Sequence, residues 1–120
     1  MDFNFDNERP IYIQLVKKLR LAIITAKYPL GSRLPSVRDL ALEAKVNPNT
    51  LQKALGELES DGLIYTERTN GKYVTNDSKL VKKFRSDMAK DIVRSFISDM
   101  KNIGYSNEEI ILCLKEKGEK

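Results

Sequence analysis

The chain contains no histidine and a single cysteine, Cys113. Without histidine it lacks the commonest metal ligand and general base, and with them every Ser-His or Cys-His nucleophile scheme. One cysteine cannot close an internal disulfide, and Cys113, set in an apolar helical stretch, reads as a small buried hydrophobe rather than a redox sensor. No apolar run approaches the ~20 residues needed to cross a bilayer. No cationic-then-apolar leader opens the chain either, so the expected location is the cytoplasm, away from membranes. The tripeptide Asn70-Gly71-Lys72 lacks the preceding glycine and the following Ser/Thr of a phosphate loop. An enzyme therefore has no support, and neither a catalytic residue, a metal site nor a cofactor is expected. Internal repeats and low-complexity segments are also missing.

Charge of one sign is in short supply. The 120 residues carry 21 Lys and Arg against 17 Asp and Glu, a net charge of +4. Residues 1–76 hold 11 basic and 9 acidic side chains, and residues 77–120 hold 10 and 8. Such a balance permits nucleic-acid binding without demonstrating it, so any DNA argument rests on where the charges are placed. The length suits one domain, or one small domain with an appendage, and an apolar fraction of 41% supports a small core.

What the chain does have is concentrated between Leu34 and Lys72. Pro35 cannot continue a preceding helix and Ser36 can cap the next one, so a helix starts at Val37, with Leu40, Ala41 and Ala44 on its apolar face. Lys45-Val46-Asn47 interrupts, and Val46 is suited to plug the corner. Asn47 is a good N-cap and Pro48 fits the first helical position, where no N–H is needed. Leu51, Ala54, Leu55 and Leu58 form the buried stripe of this second helix, over about residues 48–61. Asn49, Thr50, Gln52 and Lys53 are left at its outward N-terminal end. These side-chain types can bond base edges or phosphates in a major groove, and they would equally make an ordinary helix surface. Gly62 suits the left-handed stop of that helix. Leu63-Ile64-Tyr65-Thr66 and Tyr73-Val74-Thr75 are strand-like, and Asn70-Gly71 signals a hairpin flanked by Arg68 and Lys72. A glycine-containing tip with two cations is suited to approach a phosphate backbone, although a merely solvated hairpin looks the same.

These motifs resemble the DNA-binding domain of the GntR family of bacterial transcription regulators. The resemblance is carried by Leu34-Pro35-Ser36-x-Arg38-Asp39-Leu40-Ala41, by Val46-Asn47-x-Asn49-Thr50-x-x-Lys53-Ala54 and by Leu58-Glu59-x-Asp61-Gly62-Leu63-Ile64. The Asn-Pro-Asn-Thr run and the short C-terminal part resemble the YtrA subfamily in particular. The resemblance implies a homodimer on double-stranded, palindromic operator DNA, usually a repressor, in several cases of transporter operons. It places DNA contacts on Ser36 and Arg38, on Asn47, Asn49, Thr50, Gln52 and Lys53, and at the wing on Arg68, Asn70, Gly71 and Lys72. The wing here is less glycine-rich than the family's, so minor-groove insertion does not carry over. Gln52 stands where some relatives have a guanine-reading arginine, so base preference does not carry over either.

Around this centre, Phe3 and Phe5 open the chain either as an extended segment laid on the protein or as a frayed end. Pro10 begins a helix to about Ala26 with Ile11, Leu15, Leu19 and Ile23 on one face, and Lys17, Lys18 and Arg20 on a solvated one. The fold class is thus mainly α with a small β-hairpin: a winged helix-turn-helix over residues 1–76, with the wing at about 63–75, followed by a two-helix segment over 77–120. In that segment Leu80, Phe84, Met88, Ile92, Phe96 and Met100 recur every fourth residue, Gly104 stops the helix, and Ser106 with Glu109 forms a capping box. Ile110, Ile111 and Leu114 make the apolar side of the last helix. Two helices cannot enclose a core of their own, so this stripe either packs back on the first domain or forms a symmetric dimer interface, which is the expectation. The segment is too short for a large effector-binding domain, and any small-molecule effector would sit in a crevice between helices or subunits. The competing reading, a winged helix that binds protein, would need acidic or apolar residues in place of Asn49, Thr50, Gln52 and Lys53.

Overall fold

A short polar side chain or a proline stands where each helix begins. The computed structural model describes residues 3–118. Its order is α1 (Ile11–Ile24), α2 (Val37–Ala44), α3 (Pro48–Ser60), β1 (Ile64–Glu67), β2 (Gly71–Val74), α4 (Ser78–Asn102) and α5 (Asn107–Gly118). The residues group into two compact units, Met1–Phe84 and Arg85–Lys120.

In the first unit, α2 starts where Ser36 Oγ accepts the Asp39 N–H at 3.0 Å, and it stops at Lys45, which takes the left-handed backbone (φ 57). α3 starts where Asn47 Oδ1 accepts the Asn49 N–H at 2.7 Å, with Pro48 at its first position. Each cap satisfies an N–H that the helix leaves without a partner, worth about 1 kcal/mol. α1 stops at Ile24 instead of near Ala26, because Ala26 itself turns left-handed (φ 62). Leu15 and Leu19 of α1, Leu40 of α2 and Leu51, Leu55 and Leu58 of α3 are fully buried together. Each such side chain contributes ~1.5–3 kcal/mol relative to exposure.

β1 and β2 pair antiparallel, with Ile64 opposite Val74, Tyr65 opposite Tyr73, Thr66 opposite Lys72 and Glu67 opposite Gly71. The turn between them is Arg68-Thr69-Asn70, closed by the Asn70 N–H on the Glu67 carbonyl. Gly71 follows at φ 105, in the left-handed range that a side chain would strain. The ribbon has a third edge. Val74 N–H donates to the Ser32 carbonyl at 2.9 Å and Leu34 N–H to the Lys72 carbonyl at 2.8 Å, so Ser32–Leu34 lies alongside β2.

The N-terminal segment lies on the protein. Phe3 and Phe5 stack with ring centroids 6.3 Å apart and pack against the core. Gln14, only 3% exposed, holds the segment by donating to the Asp6 and Arg9 carbonyls and accepting the Asp6 N–H. Arg20 is not part of a solvated face. Its guanidinium is half-buried, pairs with Asp61 at 2.6 Å and covers the Phe84 ring.

The start of α4 also belongs to this unit. Asp77 Oδ1 caps it by accepting the Lys79 and Leu80 N–H groups. Leu80, Val81 and Phe84 then pack on the core, which carries the unit beyond the boundary expected after residue 76. Leu80 and Phe84, expected at a dimer interface, pack on the first unit's core and stay half-buried. The i,i+4 repeat marks an apolar face but does not say what covers it.

In the second unit α4 ends at Asn102, and Gly104 (φ 95) reverses the chain. The capping box is made in both directions: Glu109 N–H donates to Ser106 Oγ at 3.2 Å, and Ser106 N–H to Glu109 Oε1 at 3.0 Å. Ile110 is buried, whereas Ile92, Phe96 and Leu114 are exposed. Met88 and Met100 are half-buried, as is Cys113, expected to be fully buried. Ile92, Val93, Phe96, Ile97, Ile110, Ile111 and Leu114 line an open groove of about 590 Å³ whose one polar residue is Asn107.

Candidate nucleic-acid interface

Two helix starts and one hairpin carry the polar residues singled out in the sequence. The caps of α2 and α3 make those starts rigid, and they consume part of two candidates. Ser36 Oγ and Asn47 Oδ1 each accept a backbone N–H of their own helix. Each keeps its donors, the Ser36 hydroxyl and the Asn47 amide, for an outside acceptor. Arg38 on α2 and Asn49 and Gln52 on α3 are exposed. Among the described residues their side chains have no hydrogen-bond or ion-pair partner. Thr50 is half-buried against the bundle.

Lys53 is exposed but engaged: its Nζ stands 4.5 Å from the centroid of the Tyr12 ring, within cation–π range. Tyr12 in turn donates its hydroxyl to Glu57 Oε1 at 2.9 Å. That bond to a carboxylate raises the Tyr12 phenol above its ordinary range. One residue from α1 thus reaches the middle of α3 and holds a lysine there.

The wing divides its candidates. Arg68 and Asn70 sit in the turn and Gly71 follows it, all exposed. Lys72 does not flank the turn as a free cation. Its Nζ donates to Glu59 Oε1 at 3.1 Å and to Thr66 Oγ1 at 3.0 Å, and Thr66 donates to the same Glu59 oxygen at 2.9 Å. The bonds from Thr66 and then Lys72 hold the Glu59 carboxyl below its usual range. Lys72 is opposite Thr66, inside the strand pair, and this pairing turns its amine back onto α3. Sequence spacing counts Lys72 as next to the turn but cannot register that direction.

Sequence reasoning also passed over Arg33. Ser32-Arg33-Leu34 is too short to show an alternation in the sequence, and only the structure, with Leu34 buried, reveals an extended edge there. The arrangement as a whole offers neutral amides, a hydroxyl and guanidinium groups. Such groups can bind base edges and phosphates.

Comparison with known proteins agrees with that chemistry. Residues 11–74 match the profile of the bacterial regulatory proteins of the gntR family. The uncharacterized HTH-type transcriptional regulator YhcF of Bacillus subtilis is 30% identical over 115 residues, 96% of this chain and 95% of that protein. The HTH-type transcriptional repressor YtrA of Bacillus subtilis is 33% identical over 108 residues, 89% of this chain and 83% of that one. A GntR family transcriptional regulator from Listeria monocytogenes has a similar structure, with a TM-score of 0.87 at 42% identity, covering 93% of this chain and 98% of that chain. The DNA-binding domain of AraR, solved in complex with an operator, superposes with a TM-score of 0.56 at 26% identity over 60% of this chain and 93% of that one.

Proposed function

This chain belongs to the gntR family of bacterial regulatory proteins, and from that premise we propose that it is a homodimeric repressor reading a palindromic operator. Like its relatives it is a DNA-binding transcription regulator and not an enzyme. The observation that carries the finer reading is the row Arg38, Asn49 and Gln52. These side chains are exposed and unpartnered at two rigidly capped helix starts, with a wing following in the chain. In this reading Arg38 and Arg68 hold phosphates, Asn49 and Gln52 meet base edges, and Ser36, Asn47, Thr50, Lys53, Asn70 and Gly71 complete the interface. Two copies on a palindrome add their contacts, which favours dimers. Ile92, Phe96 and Leu114, apolar and exposed, supply a surface for that pairing, together with the half-buried Met88 and Met100 and the buried Ile110. The repressor named YtrA among the relatives supports the sign of regulation. Transporter operons are the target class that follows from the same resemblance, and the cytoplasm is the location proposed for a regulator that works on DNA.

The test is fluorescence anisotropy with duplex DNA from upstream of the protein's own gene, beside a scrambled duplex and a salt series. The expected result is tight binding to the native duplex alone, with two chains per site. Equal binding to both duplexes, fading steeply with salt, would remove sequence-specific reading. No binding at low salt would replace the regulator with a protein-binding winged helix.

A further inference from the structure

We propose that Arg33 is an additional contact to the DNA phosphate backbone, held ready by the wing. The assignment rests on the DNA-binding reading above. Ser32–Leu34 lies as a third edge of the ribbon, with Arg33 bridged to Tyr73 of β2. Its backbone is fixed, unlike that of an ordinary loop residue. The side chain follows the ribbon. The Arg33 guanidinium lies over Gly71, with Nε, Nη2 and Cζ at 3.4, 3.5 and 3.8 Å from where a Cβ of residue 71 would stand. A Cβ at 71 would meet that guanidinium in ordinary van der Waals contact, so Arg33 is a direct neighbour of the wing turn, while the glycine itself is required by its positive φ.

Although held in place, Arg33 is not neutralised. Among the described residues its guanidinium has no ion-pair or hydrogen-bond partner, whereas Arg20 pairs with Asp61 and Lys72 with Glu59. An exposed guanidinium on a fixed stretch of backbone is positioned for an anion, and its planar N–H fork matches phosphate oxygens. Its position fits that ligand. The concave surface that includes Ser32, Arg33 and Ser36 joins the ribbon edge to the start of α2, with Lys27 and Asp39 as its other charged residues, and Arg38 lies in the first turn of that helix. The Arg33 cation thus stands between two elements that the DNA reading already brings to the backbone. Lys72, paired with Glu59, acts by holding the ribbon to α3.

The experiment compares full-length wild type, R33Q and R33M by anisotropy on the native and scrambled duplexes across a salt series, with R38Q as the reference and melting temperatures alongside. The expected result for R33Q is weaker binding to both duplexes by the same factor. The slope of log K against log salt should also fall by about one unit, as for R38Q. R33M keeps an unbranched stem over Gly71 and should give the same two changes even if R33Q melts early. A wild-type slope and affinity in R33Q and R33M, with R38Q impaired, would overturn the assignment and leave the regulator intact. Loss confined to the native duplex at unchanged slope would overturn it in favour of a base contact. Failure of wild type to bind either duplex would overturn it together with the function it rests on.

Discussion

The two units of this chain share one sequence pattern and put it to different ends. In α3, Leu51, Ala54, Leu55 and Leu58 recur at helical spacing and are at most 1% exposed. In α4 and α5, Ile92, Phe96 and Leu114 follow the same spacing and stand 67%, 37% and 54% exposed. Within α4 the change comes along a single stripe, since Leu80 and Phe84 pack on the first unit's core. Periodicity therefore reports that a face is apolar, and only the partner elements decide whether it is covered. An uncovered apolar face of this extent is characteristic of an interaction surface, since each large side chain buried there would contribute ~1.5–3 kcal/mol.

The comparison breaks most sharply at Ile92 and Phe96. Aspartate at both should convert the protein to monomers by light scattering and lower operator affinity by orders of magnitude, while the first unit keeps its melting temperature. A stable dimer with full affinity would remove this face from the interface. In the first unit Leu55→Ala should cost ~2–5 kcal/mol in denaturant unfolding, because it opens a cavity in a closed core. Phe84→Asp separates the two uses of one stripe. Its expected effect is a destabilised first unit, ~2 kcal/mol or more by the same measurement, with the dimer persisting wherever the protein is folded. Asn49→Ala or Gln52→Ala should leave stability unchanged and cost ~1–3 kcal/mol on the native site, with less on random DNA, read by anisotropy.

The smallest effect concerns the tie between wing and helix. Thr66 and Lys72 lower the Glu59 carboxyl in the folded chain from its ordinary value of 4.5. Its stabilisation is therefore present above pH 4.5 and is lost as pH falls through the depressed folded value. Because the pair is partly exposed, the contribution is below ~1 kcal/mol. Thermal melts of wild type and Glu59→Gln should differ near neutral pH and converge in acid. A constant difference at all pH values would show that the carboxylate is not the stabilising form.

Legibility in the sequence followed range. The caps at Ser36, Asn47 and Ser106 and the reversals at Gly62 and Gly104 were readable because each depends on residues within a turn of one another. The row Arg38, Asn49 and Gln52 was readable as what lies outside the apolar stripes. Lys72 on Glu59, Arg20 on Asp61 and Arg33 over Gly71 were not, since each joins residues far apart in the chain through side-chain direction. The wing shows the limit well: composition marked its cations, and the strand register then sent one of them back to α3.

By itself the sequence determined the helices, their caps, the hairpin and the exposed polar residues of α2 and α3, because local hydrogen bonding and hydrophobic period act over a few residues. The tertiary structure alone decided which cations are spent inside the fold and which stay free. It also decided where along α4 the apolar stripe stops being covered. Both depend on which distant surfaces meet, since burial and ion pairing are properties of contacts and not of the residues that make them.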